Sequence, residues 1–350
     1  MGGNALKQVT TVRLTKENYH RLSVEVSQKM RERFPDRRIE VIPAFRLKAD
    51  FGDLDILIDA EGLRENLIDV IRELFNPTEI VTGNAISFDV ENFQVDIIPC
   101  TSANFATSLV YYSYNDLGNL MGRISHKLGF KYGHEGLSFR ADDNNYVIFD
   151  FVVSRDSRQI FEFLGYDYDR FLQGFDTLLE VFEYAASTKY FNPEMFKYEN
   201  RNYASRVRDK KRSSYSGFLE WCENPTIKIN HYPWAVLHDR GGYVPKTEFV
   251  EIAYNTFPGL KERHEKELED YRLKKLFKEY FSAEDVTRVT GLTFKDLGNL
   301  MKYLKSVIVE EYGGQSKFGL FLETLPEDER QPFVDAWIDK KYSILVTTKV

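Results

Sequence analysis

The sequence predicts an α+β protein whose first half holds the strands and whose second half is mainly helical. Short apolar segments bounded by turn residues predict strands at 39–42, 52–58, 86–90 and 93–98. After about residue 175 the apolar residues recur at helical spacing instead. The chain has 350 residues, which is enough for two or three domains with cores of their own.

Helices are predicted both among these strands and after them. Residues 1–13 are expected to be a loose lead-in, and Thr15 then precedes a helix that runs to about Arg33. A hairpin is predicted across 137–151, around a polar turn at 142–145. Further helices are predicted at 61–75, 115–128, 158–164, 174–186, 204–222, 246–256, 258–281 and 294–310.

The composition is that of an ordinary globular protein. Hydrophobic residues make up 43% and charged residues 29%, and the formal net charge is −7, so binding to nucleic acid would require a local basic patch. The only cysteines are Cys100 and Cys222, which argues against a disulfide framework and a cysteine-rich zinc site. No apolar run reaches membrane length and no signal-peptide pattern is visible, so we expect a cytoplasmic protein without a membrane partner.

Three aspartates in apolar strand segments form the strongest candidate site. Asp53 and Asp55 alternate with apolar residues in 52–58, so both point to one face of a strand, and Asp96 lies in the apolar segment 93–98. Like charges side by side repel, and a divalent cation is the usual counter-charge of such carboxylates. The pattern predicts a two-metal phosphoryl-transfer site, although a solvated outer strand face would show the same alternation.

Residues just before the carboxylate pair are candidates for contacts to phosphate. Gly52 allows the backbone to approach a ligand closely. Arg46 and Lys48 are placed to meet the β and γ phosphates of a nucleoside triphosphate. The alternative is that both are solubilising charges on an edge strand.

A basic segment with interleaved tyrosines, at 197–218, is the best candidate for contact with nucleic acid. Arginines and lysines neutralise phosphates while tyrosines stack on bases, as single-stranded sites require. A solvated helix face or a basic interdomain linker would have the same composition. The cationic residues expected to contact nucleic acid are Arg201, Arg206, Arg208, Lys210, Lys211 and Arg212.

Motifs between residues 14 and 175 resemble those of a known family. They are, in chain order, GDLDILI at 52–58, VDIIP at 95–99, SLVYYSYND at 108–116, the pair Asn119 and Arg123, KLGF at 127–130 with Glu135, and RQIFEFLG at 158–165. Together these motifs resemble the palm and thumb of family X DNA polymerases, the DNA polymerase β type within the nucleotidyltransferase superfamily.

The resemblance implies a domain organisation. After the lead-in at 1–13, residues 14–112 would form a nucleotidyltransferase palm with a mixed sheet. Residues 113–175 would form a thumb-like subdomain that contacts nucleotide and template. Residues 176–350 would then form a mainly helical domain that binds nucleic acid.

The resemblance also implies a metal and phosphate site. Asp53, Asp55 and Asp96 would bind two Mg²⁺ ions, with Mn²⁺ able to substitute. Arg46 matches the family's phosphate-binding arginine.

The segment 111–123 carries the implied contacts to the nucleotide. Tyr111 and Tyr112 would lie against the sugar. Asp116 would pack on the incoming base, Asn119 would touch its minor-groove edge, and Arg123 would reach the template strand. Without the family, the two tyrosines would more often be core aromatics, and Arg123 would be a solvated helix residue.

The chain departs from the family pattern at several positions. Ile42 and Pro43 stand in place of the Gly-Ser that contacts phosphates in the family, and Tyr114 stands in place of a turn glycine. Gln94 replaces a basic residue often seen near the third aspartate. We therefore expect the contacts near the triphosphate to differ from the family's.

These observations predict a metal-dependent nucleotidyltransferase that adds nucleotides from a nucleoside triphosphate to a DNA or RNA 3′ end. DNA polymerase β-like DNA synthesis is favoured, and a template-independent transferase acting on RNA or tRNA 3′ ends is the alternative. A toxin-like enzyme that transfers a nucleotide to another acceptor would have no use for Arg123 or the basic segment. A non-catalytic nucleic-acid-binding module would not need the three carboxylates.

Overall fold

The computed structural model describes residues 4–143, 146–234 and 247–347 of the chain. The chain forms two compact units, Met1–Pro258 and Gly259–Val350.

This division does not coincide with the boundary predicted near residue 175. The helical segments that follow residue 175 pack with the strand-rich part of the first unit. For example, the Tyr166 ring stacks on Tyr184, and the Arg123 guanidinium donates a hydrogen bond to the carbonyl of Met195. A change in sequence periodicity therefore marks a change in element type here and not a domain boundary.

The strands form a central mixed sheet and two smaller sheets within the described residues. They are β1 (Leu14–Thr15), β2 (Ile39–Val41), β3 (Asp50–Phe51), β4 (Asp53–Asp59), β5 (Ile80–Thr82), β6 (Ile86–Val90), β7 (Phe93–Cys100), β8 (Phe130–Gly133), β9 (Gly136–Asp143) and β10 (Tyr146–Ser154). The central sheet has the order β2–β4–β7–β6–β5, and only its β4–β7 pair is parallel. The smaller sheets, β1–β3 and β8–β9–β10, are antiparallel. With the helices described next, this mixed sheet agrees with the predicted α+β class.

Helices alternate with the strands along the first half of the chain and dominate its second half. They are α1 (Lys16–Arg33), α2 (Leu67–Phe75), α3 (Phe105–Tyr112), α4 (Leu117–Leu128), α5 (Ser157–Phe163), α6 (Tyr168–Leu172), α7 (Leu178–Ala185), α8 (Tyr203–Asp209), α9 (Ser213–Glu223), α10 (Thr247–Thr256), α11 (Leu260–Tyr280), α12 (Ala283–Thr290), α13 (Phe294–Tyr312), α14 (Gln315–Glu323) and α15 (Glu327–Thr347). Among the described residues, none of these helices is both long and apolar enough to cross a membrane.

Two predicted helices differ from the observed ones. The helix predicted over 61–75 starts only at Leu67, because the Asn66 side chain caps it by accepting a hydrogen bond from the Ile68 N–H at 2.9 Å. The helix predicted over 204–222 is two helices, α8 and α9. Within the predicted hairpin turn at 142–145, residues 144 and 145 lie outside the described part of the chain, as does the first residue of the helix predicted at 246–256.

The hydrophobic core of the first unit lies under one face of the central sheet. Leu54 and Ile56 of β4 and Val95 and Ile97 of β7 are fully buried there. Side chains from α1 and α2 complete the cluster, including Leu22, Val26, Met30, Val70 and Ile71. Because strand side chains alternate, the polar residues between these apolar ones project from the opposite face.

The opposite face of the sheet is only partly covered. Leu57 of β4 packs on Phe105 of α3 and on Ile42. Helix α3 therefore covers the C-terminal end of β4, and the N-terminal end, which carries Asp53 and Asp55, borders a cleft.

The N-terminal residues are not a loose lead-in where the structure describes them. Leu6 is buried, and the Glu79 carboxylate accepts hydrogen bonds from the backbone N–H groups of Lys7, Gln8 and Val9. The Val12 N–H donates to the Asn92 carbonyl at 2.9 Å. The sequence pattern missed this docking because the backbone, and not a periodic set of side chains, makes most of the contacts.

The second unit, Gly259–Val350, has a helical core of its own. Phe277 of α11, Leu304 of α13 and Phe318 of α14 are buried in one cluster. Helices α11 and α14 approach closely at Gly319, where a Cβ atom would lie 2.2 Å from the carbonyl oxygen of Leu273. Only glycine permits this approach.

Candidate metal centre and adjoining clefts

The three predicted aspartates meet at the central sheet. In the parallel β4–β7 pair, Asp55 lies opposite Asp96, and Asp53 lies opposite Gln94. Carboxylate oxygens of Asp53, Asp55 and Asp96 all lie within 4.8 Å of one another, and each side chain is half-buried. The prediction that these carboxylates share one place on adjacent strands is confirmed.

The fold disfavours negative charge at this place. Burial raises the pKa of Asp55 well above its ordinary value, and the charges of Asp53 and Asp96 raise it further. Burial also raises the pKa of Asp96, although hydrogen bonds from Ser87 and Gln94 oppose that shift. Lys48 is the nearby cation, and burial lowers its pKa despite the attraction of Asp53 and Asp55. A bound cation would relieve this repulsion.

The donor set fits a hard divalent cation. All the available ligand atoms are carboxylate oxygens, which suit Mg²⁺ or Mn²⁺ and not the softer metals that thiolates select. Asp53, Asp55 and Asp96 therefore meet two requirements of a divalent-cation site. Their oxygens lie close together, and their carboxylates supply an excess of negative charge.

A cleft of about 570 Å³ opens at the carboxylates. The sequence predicted several of its lining residues, which are Lys48, Gly52, Asp53, Asp55, Asp116 and Arg212. Sequence reasoning missed Arg13, Asn115, Ser213 and Ser214, which also line it. Ser213 and Ser214 lie inside the basic segment, directly after Arg212, but no local pattern indicates that the N-terminus of α9 reaches the carboxylates.

Lys48 is held in this cleft by aromatic packing. Its ammonium lies 4.6 Å from the centroid of the Phe51 ring, and Phe51 stacks on Tyr19 at 3.7 Å between centroids. Arg13 pairs with Asp50 at the edge of the same cleft. Lys48 and Arg13 thus place two cations in the carboxylate cleft, and the phosphate contact of Lys48 stays a prediction.

Arg46 does not lie where the family resemblance predicts. Its guanidinium pairs with Asp176 and donates to the Gln173 carbonyl at 2.8 Å, and it does not line the carboxylate cleft. The backbone fixes this placement, because the Arg46 N–H donates to the Phe175 carbonyl at 2.9 Å. The predicted phosphate contact of Arg46 is therefore corrected to a contact with the 173–176 loop.

Tyr111 and Tyr112, at the end of α3, line a second cleft of about 410 Å³. The Tyr112 ring stacks on His134 at 5.8 Å, and Tyr111 packs edge-on against Tyr132. Burial raises the pKa of Tyr112 to about 12, and it also raises the pKa of Tyr111. Both tyrosines thus pack against other aromatic rings and also line a cleft. The interpretation of them as core aromatics is therefore compatible with the interpretation of them as contacts to a nucleotide sugar.

The predicted nucleotide contacts and the basic segment meet in this second cleft. The Asp116 carboxylate pairs with Arg212 and accepts a hydrogen bond from Ser214. The Asn119 carbonyl oxygen accepts from Arg208 at 3.1 Å, while the Asn119 Nδ2 atom is buried without a hydrogen-bond partner. These pairs bring α4 and the α8–α9 region together, which the sequence did not predict.

Two of the predicted nucleic-acid contacts are buried and serve the fold instead. Arg123 is 5% exposed, and its Nε donates to the Met195 carbonyl at 2.8 Å. Arg201 is 7% exposed and pairs with the fully buried Asp209 at 3.0 Å. The roles predicted for Arg123 and Arg201 are corrected to contacts within the fold, because both guanidinium groups are largely buried and bound to protein partners, although both residues also line the third cleft described next. Arg206, Arg208, Lys210, Lys211 and Arg212 remain exposed or half-buried.

A third cleft, of about 440 Å³, continues from the second. It shares Tyr111, Asn119 and Arg208 with the second cleft, and the second shares Asp116 and Arg212 with the carboxylate cleft. Its remaining polar lining includes one carboxylate and the largely buried guanidinium groups of the two corrected arginines. These polar residues are Arg123, His126, Lys131, Arg140, Asp142, Arg201, Asn202 and Ser205. The three clefts therefore form one polar groove that starts at the carboxylates.

No protein-family profile matches the chain, and no curated protein matches it significantly.

Proposed function

We propose that the chain is a divalent-cation-dependent nucleotidyltransferase that transfers a nucleotide from a nucleoside triphosphate to the 3′ end of a nucleic acid. The observation that carries this proposal is the parallel β4–β7 register, which sets Asp96 beside Asp53 and Asp55, and these two residues line the carboxylate cleft. Close carboxylates on adjacent strands are the ligand set of two-metal phosphoryl transfer.

The three carboxylates would hold two Mg²⁺ ions. When bound, such ions neutralise the charge that develops on the transferred phosphoryl group. The protein's part is to fix Asp53, Asp55 and Asp96 on a rigid sheet, so that little reorganisation is needed on binding.

The chain's own cations would bind the triphosphate. Lys48, Arg13 and Arg212 line the carboxylate cleft, and Ser213 and Ser214 add hydroxyl groups. The N-terminus of α9 has no side-chain cap, so its backbone N–H groups can also donate to phosphate oxygens. These cations, hydroxyl groups and N–H groups would take the place of two phosphate contacts of the family. One is the contact predicted for Arg46, and the other is made in the family by a Gly-Ser pair where this chain has Ile42 and Pro43.

The second cleft suits the nucleoside. Tyr111 and Tyr112 supply ring surfaces there, and the Asn119 amide has a donor free for a base or sugar acceptor. The predicted template contact depended on Arg123, but the Arg123 guanidinium is buried and donates hydrogen bonds to the carbonyls of Met195 and Asn200. We therefore propose addition without a template ahead of DNA polymerase β-like templated synthesis.

The acceptor is proposed to be a nucleic acid because cations continue along the groove. Arg208 and Arg212 line it, and the exposed Lys210 and Lys211 lie between them in the chain. A toxin-like transferase acting on a protein or small molecule would not need this row.

The decisive experiment is incorporation of labelled nucleotides with Mg²⁺. Each NTP and dNTP is offered with a single-stranded primer and with the same primer annealed to a template. We expect extension of the single strand, and we expect Asp53→Ala and Asp96→Ala to reduce it at least about 100-fold, since several kcal/mol of transition-state stabilisation are lost.

The matched control is Asp36→Ala, which removes an exposed aspartate outside the cleft and should leave the rate unchanged. Wild-type rates in the Asp53→Ala and Asp96→Ala variants would refute the site. Extension only in the presence of the template would restore the templated alternative.

A further inference from the structure

Gln94 is a buried polar neighbour of the third carboxylate, Asp96. It lies on β7 two residues before Asp96, on the same face of the sheet, and it is 2% exposed. Its Nε2 donates to both carboxylate oxygens of Asp96, at 3.0 and 2.9 Å. The carboxamide therefore restrains the rotation of the Asp96 carboxylate.

This hydrogen bond depends on which way the carboxamide faces. An amide side chain has a donor end and an acceptor end, and the reversed orientation would set its oxygen against the Asp96 carboxylate. The Gln94 Oε1 accepts a hydrogen bond from the backbone N–H of Ala5 at 2.9 Å. The Ala5 N–H thus binds the oxygen of the Gln94 carboxamide, and the NH₂ group of the same carboxamide faces Asp96.

The segment that carries Ala5 is itself anchored along the same sheet. The Glu79 carboxylate accepts hydrogen bonds from the Lys7 N–H at 2.8 Å and from the Gln8 N–H at 2.7 Å. Leu6, which joins Ala5 to Lys7, is buried. The Glu79 N–H donates to the buried Asp89 at 2.8 Å, and Asp89 pairs with Gln94 across β6 and β7. Hydrogen bonds therefore link the N-terminal segment to Asp96 through Ala5 and Gln94, and the contacts of Glu79 hold that segment beside the strand that pairs with β7.

The chemistry of the amide suits a metal ligand. An arginine or lysine at this position would neutralise Asp96 and compete with a cation for it, whereas a neutral amide holds the carboxylate and leaves its charge in place. Groups that orient a metal ligand in this way change metal affinity or activity about 10–100-fold when they are removed.

We propose that Gln94 is a positioning residue that orients Asp96 for metal binding, and that the docked segment 5–9 sets the orientation of Gln94. This proposal rests on the metal centre of the proposed function, and it adds that the N-terminal segment belongs to that centre. Ser87, which also hydrogen bonds to Asp96, is the second support of the same carboxylate.

The test measures Mn²⁺ binding to the full chain by electron paramagnetic resonance, without nucleotide or acceptor. Gln94→Met keeps the length and volume of the side chain and removes its donor, and we expect Mn²⁺ affinity to fall about 10–100-fold. Ala5→Pro removes the N–H that holds the amide and also fixes the backbone φ angle at residue 5, and we expect Mn²⁺ affinity to fall by a smaller, several-fold factor. Gln28→Met, an exposed glutamine on α1, is the control and should bind as the wild type does.

Thermal unfolding of each variant in EDTA separates a local effect from loss of the fold, and Ala5→Pro keeps the test decisive if Gln94→Met does not fold. Mn²⁺ affinities within twofold of wild type in both variants would overturn the proposal and leave the transferase function standing. A wild type that binds Mn²⁺, loses it in these variants and yet transfers no nucleotide would refute the function and support the positioning role. A wild type that binds no Mn²⁺ overturns both.

Discussion

Asp55 and Asp96 hold carboxylate charge where the fold disfavours it. Burial and neighbouring carboxylates raise the pKa of Asp55, so its folded-state pKa lies above the unfolded value. As pH rises from the unfolded pKa toward the raised folded pKa, the unfolded chain loses this proton first, and the free energy of unfolding falls. The metal-free protein is therefore less stable at neutral pH than it would be with a neutral side chain at this position.

Asp55→Asn should stabilise the metal-free protein at neutral pH. The amide is close to the shape of the carboxyl group and carries no charge to repel Asp53 and Asp96. We expect the free energy of unfolding in EDTA to rise by about 0.5–2 kcal/mol at pH 7, as for other substitutions at strained functional sites. The gain should shrink toward zero near about pH 4, where the raised pKa keeps Asp55 protonated in the wild type.

Urea unfolding at both pH values measures this difference. Asp36→Asn, an exposed aspartate, is the control and should give no gain at either pH. An Asp55→Asn protein that is less stable than wild type at both pH values would mean that the charged form makes favourable contacts in the metal-free fold.

The sequence predicted the carboxylates well because their signal is local. Alternation within one strand is enough to place Asp53 and Asp55 on one face, and a second apolar strand supplied Asp96. The arginines were harder, because a long side chain finds partners far along the chain. Arg46 pairs with Asp176, and Arg123 binds the carbonyl of Met195, and neither partner is visible from local spacing.

Among elements, the β4–β7 pair decides whether a site exists. Strand neighbours could be expected from the sequence, but their parallel register could not, because the connection between them includes α2, β5 and β6. A shift of one residue would turn Asp96 to the apolar face. The buried residues Val95 and Ile97 on that face therefore fix the position of Asp96 between them.

The break between α8 and α9 was missed for a similar reason. Helical periodicity continues through 204–222, but Asp209 is fully buried and pairs with Arg201 at 3.0 Å and with Arg208 at 2.9 Å. The Arg212 N–H then donates to the Asp209 carbonyl at 3.0 Å, in the turn between the helices. The ion pairs of buried Asp209 therefore decide where the helix ends, and the weak helical periodicity of the sequence does not.

Arg201→Met should destabilise the protein strongly, although the segment looked like a nucleic-acid surface in sequence. Removing one partner of a buried ion pair costs about 3–5 kcal/mol, and we expect the lower end because Arg208 still contacts Asp209. Chemical unfolding measures this loss. Arg206→Met, on the helix α8 that follows Arg201, is the control, because Arg206 is half-buried and its replacement should cost less than about 1 kcal/mol. Equal losses in the two variants would show that the buried pair contributes no special stability.

For the whole molecule, the distribution of charge matters more than its sum. The chain carries a formal net charge of −7, yet the groove that starts at the carboxylates is lined by Arg208 and Arg212 and continues to Lys131 and Arg140. Each of these four cations also pairs with a carboxylate, so we expect attraction of a polyanion to depend on the exposed Lys210 and Lys211 beside the groove. The composition alone could not reveal this, because the cations come from separate segments of the first unit.

We therefore expect the affinity for single-stranded nucleic acid to depend on the position of the cations that are removed, even when two variants change the net charge by the same amount. Lys210→Ala/Lys211→Ala removes two exposed cations beside the groove, and Lys302→Ala/Lys305→Ala removes two exposed cations from α13 of the second unit. If each of the first two contacts one phosphate, the slope of log affinity against log salt should become shallower by about 1.4, at about 0.7 per contact on a single strand. Fluorescence anisotropy with a labelled oligonucleotide between about 50 and 200 mM salt measures this slope. The α13 variant should keep the wild-type slope, and identical slopes in all three proteins would show that the acceptor does not run past Lys210 and Lys211.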